Sequence, residues 1–107
     1  MADLRGDWPG AEAWYRKAVA LAPSLPTGYY AWGAALLRHG KAEEAIAQLR
    51  MAHDKGPDWA EPLKAWGDAL MALHRPAEAR QKYDAALPFA PQWQALIAAR
   101  RAAGSTG

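Results

Sequence analysis

Residues 26–59 read PTGYYAWGAALLRHGKAEEAIAQLRMAHDKGPDW, and residues 60–93 read AEPLKAWGDALMALHRPAEARQKYDAALPFAPQW. Laid over each other without a gap, the two stretches agree at ten positions. Among these are Trp32-Gly33 with Trp66-Gly67, Leu36 with Leu70, Ala45 with Ala79, Ala52 with Ala86, Pro57 with Pro91 and Trp59 with Trp93. The spacing of 34 residues also extends backwards, where Ala11, Tyr15, Ala18 and Pro23 precede Ala45, Leu49, Ala52 and Pro57. A fixed period of this length marks a chain assembled from one repeated supersecondary unit.

Each unit reads as two helices. Tyr29, Trp32, Leu36 and Leu37 recur at helical spacing and stop at His39-Gly40, a helix-end signal. A second helix carries Ala45, Leu49 and Ala52 on one face and ends at Gly56-Pro57. The next unit repeats the pattern with Leu63, Trp66, Leu70 and Met71, a turn at His74-Arg75-Pro76, and then Ala79, Tyr83 and Ala86. Pro76 suits the first position of a helix, Asp58 with Glu61 has the spacing of a capping box, and Pro88, in the last turn of its helix, predicts fraying or a kink there. Gly33 and Gly67 fall inside helices, where glycine costs about 1 kcal/mol relative to alanine. Close approach of the paired helix would offset that cost, with Ala45 and Ala79 as the expected facing residues.

Composition agrees with an all-α chain. Of 107 residues, 27 are alanine, and only five are valine, isoleucine or threonine, the usual strand builders. The chain is 51% hydrophobic and 22% charged, enough apolar material for one small packed domain. The absence of cysteine excludes disulfides, thiolate metal sites and cysteine nucleophiles. A net charge of +2, with both signs interspersed, is no basic stripe, so nucleic acid is not an expected partner. No apolar run approaches the ~18 residues of a membrane span, and Met1–Asp7 lacks a secretory signal, which points to a cytoplasmic location. Four of the six tryptophans obey the period; Trp8 and Trp14 do not.

The repeat resembles the tetratricopeptide repeat. That family favours an aromatic or leucine at position 4 of the unit, leucine at 7, glycine at 8, tyrosine or leucine at 11, alanine at 20 and 27, an aromatic or leucine at 24, and proline at 32. Here those places hold Tyr29, Trp32, Gly33, Leu36, Ala45, Ala52, Leu49 and Pro57, then Leu63, Trp66, Gly67, Leu70, Ala79, Ala86, Tyr83 and Pro91. Tryptophan in place of leucine at position 7 is the main departure. The resemblance, in a bacterial style of sequence, implies a right-handed superhelical stack of helix-turn-helix hairpins, an α-solenoid. Its expected parts are a partial first repeat over 6–25, full repeats over 26–59 and 60–93, a capping helix over 94–103 and a flexible tail over 104–107. Leu96 and Ile97 would face inward, while Arg100 and Arg101 would give the cap a polar outer face.

No catalytic constellation is legible. His39, His53 and His74 lack metal-ligand spacing, and Glu43-Glu44 and Asp58/Glu61 suit helix starts, where acids complement the dipole. Arg16-Lys17 and Arg100-Arg101 read as solvated faces. Neither a phosphate loop nor a nucleophile elbow can be found, so no enzyme activity, cofactor or metal is expected.

The resemblance implies a protein-interaction module whose concave face holds a peptide or protein segment. The family's ligand-contacting positions correspond here to Thr27, Tyr30, Ala34, Leu37 and Arg38, then Glu61, Lys64, Asp68, Met71 and Ala72. Family members that hold the acidic C-terminus of chaperones use a clamp of lysine, arginine and asparagine. This chain has no asparagine, and Asp68 lies one turn from Lys64, which disfavours that ligand. Two further readings are self-association through an open N-terminal edge formed by Trp8, Trp14 and Tyr15, and service as an accessory segment of a larger enzyme.

Overall fold

The computed structural model describes residues 8–105. They form α1 (Trp8–Leu21), α2 (Pro26–Arg38), α3 (Ala42–Lys55), α4 (Ala60–Ala72), α5 (Pro76–Ala86), a short 3-10 turn over Leu87–Phe89, and α6 (Gln94–Ser105), with no strand among the described residues. Successive helices pack on one another along the chain. In addition α4 touches both α2 and α6, so the first helices of neighbouring repeats form a row. No described helix is long and apolar enough to cross a membrane.

Local chemistry explains most of the boundaries. Pro26 and Pro76 stand at the starts of α2 and α5, where a missing N–H has no cost, and Glu43 and Glu44 occupy the first turn of α3. The exits of α2 and α4 are identical reverse turns. Lys41 N–H donates to the Leu36 carbonyl and Arg75 N–H to the Leu70 carbonyl, both at 2.9 Å, while Gly40 and His74 donate to Leu37 and Met71. This Schellman pattern needs a left-handed residue at its centre. Gly40 supplies it at φ 74°, and His74 is held there at φ 59°. At Pro88, where fraying or a kink is expected, α5 gives way to the 3-10 turn.

Three expectations are corrected. The Asp58/Glu61 capping box does not form, because Trp59 occupies the cap position of α4 and no side chain bonds there, leaving Asp58 one residue too early. The tail does not begin at 104, since α6 continues through Ser105. Residues 6–7 of the expected first repeat and residues 106–107 of the expected tail lie outside the described residues.

The third correction concerns the helical glycines. A Cβ placed on Gly33 would lie 2.7 Å from Leu49 Cγ, and one on Gly67 would lie 2.5 Å from Tyr83 Cε1. The space is therefore filled by the large position-24 side chains, Leu49 and Tyr83. Ala45 contributes only its carbonyl oxygen, 3.2 Å from the Gly33 site, and Ala79 is not among the nearest neighbours of Gly67. The alanines pack elsewhere: Ala45, Ala52, Ala79 and Ala86 are fully buried within the hairpins. A further row, Ala35, Ala69 and Ala103, also recurs every 34 residues and is buried in α2, α4 and α6. Alanine there lets each first helix settle closely against its neighbours.

Two substitutions test this packing by their sign. Gly67→Ala improves helix propensity by about 1 kcal/mol, yet the ring of Tyr83 blocks the new methyl. We expect net destabilisation of about 1–3 kcal/mol, read by urea unfolding. His74→Gly should instead stabilise by up to ~1 kcal/mol, because a left-handed conformation is costly for a side-chain-bearing residue.

Candidate functional site

The residues expected to face a ligand lie on α2 and α4, at and below the middle of the row of first helices. Tyr30 is half-buried, and its ring packs against Trp59 at 4.9 Å between centroids. Trp59 reaches it because the last residue before α4 is extended, which points its indole back towards α2. Leu37 and Tyr30 pack at the margin of the buried cluster of Leu36, Ala45, Leu49 and Ala65, and Met71 packs at the margin of the next cluster. Thr27, Arg38 and Ala72 are exposed, while Ala34, Glu61, Lys64, Asp68 and Met71 are half-buried. Burial, with the Glu61 carboxylate nearby, raises the pKa of the Tyr30 phenol, so it presents a neutral hydroxyl at pH 7.

Asp68 has a second task that its spacing did not reveal. One carboxylate oxygen accepts from Lys64 Nζ at 2.8 Å, and the other accepts from the Tyr83 hydroxyl at 2.6 Å. The phenol of Tyr83 is buried against Gly67, so its single polar atom must find a partner, and Asp68 on the adjacent helix provides one. Burial and this bond raise the Tyr83 pKa far above its ordinary value. In the preceding repeat the same two positions hold Ala34 and Leu49, an apolar pair that needs no such bond. Asp68 thus braces the hairpin and neutralises Lys64 at the same time.

The residues expected to form an open N-terminal edge divide. Tyr15 is buried at 6% exposure in a cluster with Ala11 and Ala35, as befits its place in the repeat, so it offers no free surface. Trp8 is half-buried between two clusters and stacks on His39 at 4.2 Å. Trp14 alone of the three is exposed, at 53%. α2 covers the inner face of α1, which is why the first two are taken up.

On the other side of the first helices, the repeat-to-repeat seams carry a recurrent pair, and Arg16, expected on a solvated face, belongs to it. Arg16 sits over the Trp32 ring and Arg50 over the Trp66 ring, each 5.7 Å from the centroid. Each pair spans 16 residues, and 34 residues separate one pair from the next. The third seam replaces it: Asp84 and Arg100, also 16 apart, form an ion pair at 2.8 Å. Arg100 therefore takes the tryptophan's place in this seam, while Arg101 is exposed. Of the three histidines, His39 stacks on Trp8, His53 packs edge-on near Trp66 at 6.3 Å, and His74 forms the turn.

Comparison with known proteins fits this geometry. Residues 4–40 match the sequence model described as a TPR repeat, the tetratricopeptide unit. A search of curated proteins found no match. Among solved structures, the TPR2B domain of yeast Sti1 in complex with an Hsp70 peptide is 25% identical, with a TM-score of 0.87 over 96% of this chain and 87% of that one. The second TPR domain of human RPAP3, in complex with an HSP70 peptide, is 19% identical with a TM-score of 0.86 over 94% and 83% of the two chains. The Sgt2 TPR domain of Aspergillus fumigatus is 18% identical, with a TM-score of 0.87 over 95% and 69%. The chain is thus an all-helical repeat protein of the α-solenoid class. Residues 4–40 match a tetratricopeptide repeat, and the fold as a whole is similar to that of tetratricopeptide-repeat domains.

The brace on Tyr83 predicts an alkaline response. The folded state holds the phenolic proton more tightly than the unfolded chain does. Its contribution is complete below the ordinary tyrosine value near 10 and is lost as pH rises beyond it towards the raised folded value. Tyr83→Phe should cost about 1–2 kcal/mol at pH 7 and flatten this part of the alkaline loss, as measured by urea titrations at neutral and alkaline pH.

Proposed function

We propose that this chain is a non-catalytic protein-interaction module that receives a peptide segment along the face of α2 and α4. The observation carrying this reading is the partly open row of Tyr30, Leu37, Lys64 and Met71. It is backed by the Tyr30–Trp59 stack and lies on a fold that other proteins use to hold peptides. Aromatic and aliphatic side chains that are half-buried before binding lose little conformational freedom when a ligand covers them. The favoured ligand is a segment with apolar side chains, extended or helical, set against Tyr30, Leu37 and Met71.

Charge separates this groove from one built for a terminal carboxylate. Lys64 already holds Asp68 at 2.8 Å, so an incoming carboxylate would meet an ion pair rather than a free cation. Thr27, Ala34, Arg38 and Glu61 add contacts of mixed character along the same face. Tyr30→Ala with Lys64→Ala should reduce recovery of a bound partner at least tenfold in a pull-down, since each removes a contact worth roughly 1 kcal/mol or more. Equal recovery by the double variant would overturn groove binding.

A second reading is self-association through α1. Trp14 and Leu21, at 53% and 77% exposure, lie seven residues apart on one face of that helix. Sedimentation at high protein concentration should show a dimer that Trp14→Glu abolishes; a monomer throughout would remove this reading.

A further inference from the structure

We infer a second binding site, on the face opposite the groove, that takes a carboxylate-bearing peptide segment over the indole of Trp66. Trp66 lies two residues from Lys64, about 200° around α4, so its side chain leaves the helix away from the Tyr30–Lys64 face. There it forms the floor of a depression of about 240 Å³ between α3 and α5, with Ile46 and Leu70 as its apolar margins.

The charge around this floor is one-sided. Arg50 approaches the Trp66 ring from α3, and Lys82 approaches it from α5 with Nζ 3.8 Å from the centroid. Among the residues lining the depression the single carboxylate is Glu78, and Arg75 already holds it at 2.8 Å. Two cations therefore sit 5.7 and 3.8 Å from the centre of one indole, and the lining of the depression offers them no free carboxylate. The ring face attracts each of them, but it does not cancel their mutual repulsion. An anion placed over the floor would bond both and relieve it.

Comparison of the seams separates this place from a mere repeat feature. Trp32 has the corresponding arginine, Arg16, but the position equivalent to Lys82 in its repeat is Gln48. Trp66 alone combines both cations with the depression. The flat indole and the aliphatic margins suit an apolar side chain, and the cations suit an adjacent aspartate or glutamate. An acidic peptide supplies both in neighbouring residues. Two convergent cations are too few to follow a phosphate backbone, which favours the peptide over a nucleic acid.

A fluorescein-labelled peptide of alternating glutamate and leucine tests the site by anisotropy, together with the indole N–H resonances of the protein assigned by single tryptophan substitutions. We expect saturable binding that weakens as salt is added and shifts the Trp66 indole resonance while leaving that of Trp59 in place. Arg50→Gln with Lys82→Gln should weaken binding roughly tenfold, through loss of two charge pairs. Glu78→Gln, which frees Arg75, should strengthen it about threefold. Tyr30→Ala with Lys64→Ala should leave it unchanged, so this site and the groove succeed or fail separately. No saturable binding, unchanged affinity in the Arg50/Lys82 variant, a shift at Trp59 instead of Trp66, or tighter binding of a single-stranded oligonucleotide of equal charge would each overturn the proposal.

Discussion

The contact on which the rest of this structure depends is that between a helical glycine and the large side chain facing it from the partner helix. Gly33 receives Leu49 and Gly67 receives Tyr83, at distances that leave no room for even a methyl group. Glycine in mid-helix weakens the local helix, and the gain from burying a whole leucine or tyrosine against its backbone outweighs that loss. Once the hairpin is closed in this way, Ala45, Ala52, Ala79 and Ala86 are sealed inside it, and its outer surface becomes a fixed platform for the next hairpin. The face proposed to receive a ligand depends on the same contact, because it sets how far Tyr30 and Lys64 stand from the neighbouring hairpins.

The two full repeats solve this packing with different chemistry. The first uses leucine against glycine with alanine beside it, a wholly apolar solution. The second uses tyrosine, and thereby acquires a hydroxyl that must be satisfied in a buried place. Asp68 meets that need and draws Lys64 with it, so the brace reaches from the hairpin interior to the proposed ligand face. The charge of that face is thus set partly by a packing choice, since a tyrosine in the core engages the aspartate that in turn holds Lys64.

The period, the hairpins and their proline and glycine boundaries were legible because each residue's local preference agrees with its place in the fold. Gly40, Gly56 and Pro76 are of this kind. What escaped the sequence depends on contacts between helices. Asp68 looked like a groove residue because its position in the repeat says so, while its bond to Tyr83 crosses 15 residues to another helix. Tyr15 looked exposed because no earlier helix was evident to cover it, yet α2 alone suffices. Ala35, Ala69 and Ala103 did recur at the period, but alanine is so common here that the recurrence carried little contrast. The candidate site was readable as a set of positions, and its charge balance was not.

The seams give the stack a direction and an order. Trp32 meets Arg16 and Trp66 meets Arg50, whereas Arg100 meets Asp84. A third copy of the 26–59 repeat joined after α5 would set a tryptophan against Asp84, and the negative face of an indole gains nothing from a carboxylate. The hairpins are similar enough to share one architecture, but they are not interchangeable bricks. The first two junctions share an arginine–tryptophan lock and the third has an ion pair of its own, so duplicating residues 26–59 in place keeps every lock, whereas adding that repeat after α5 would require changing Asp84.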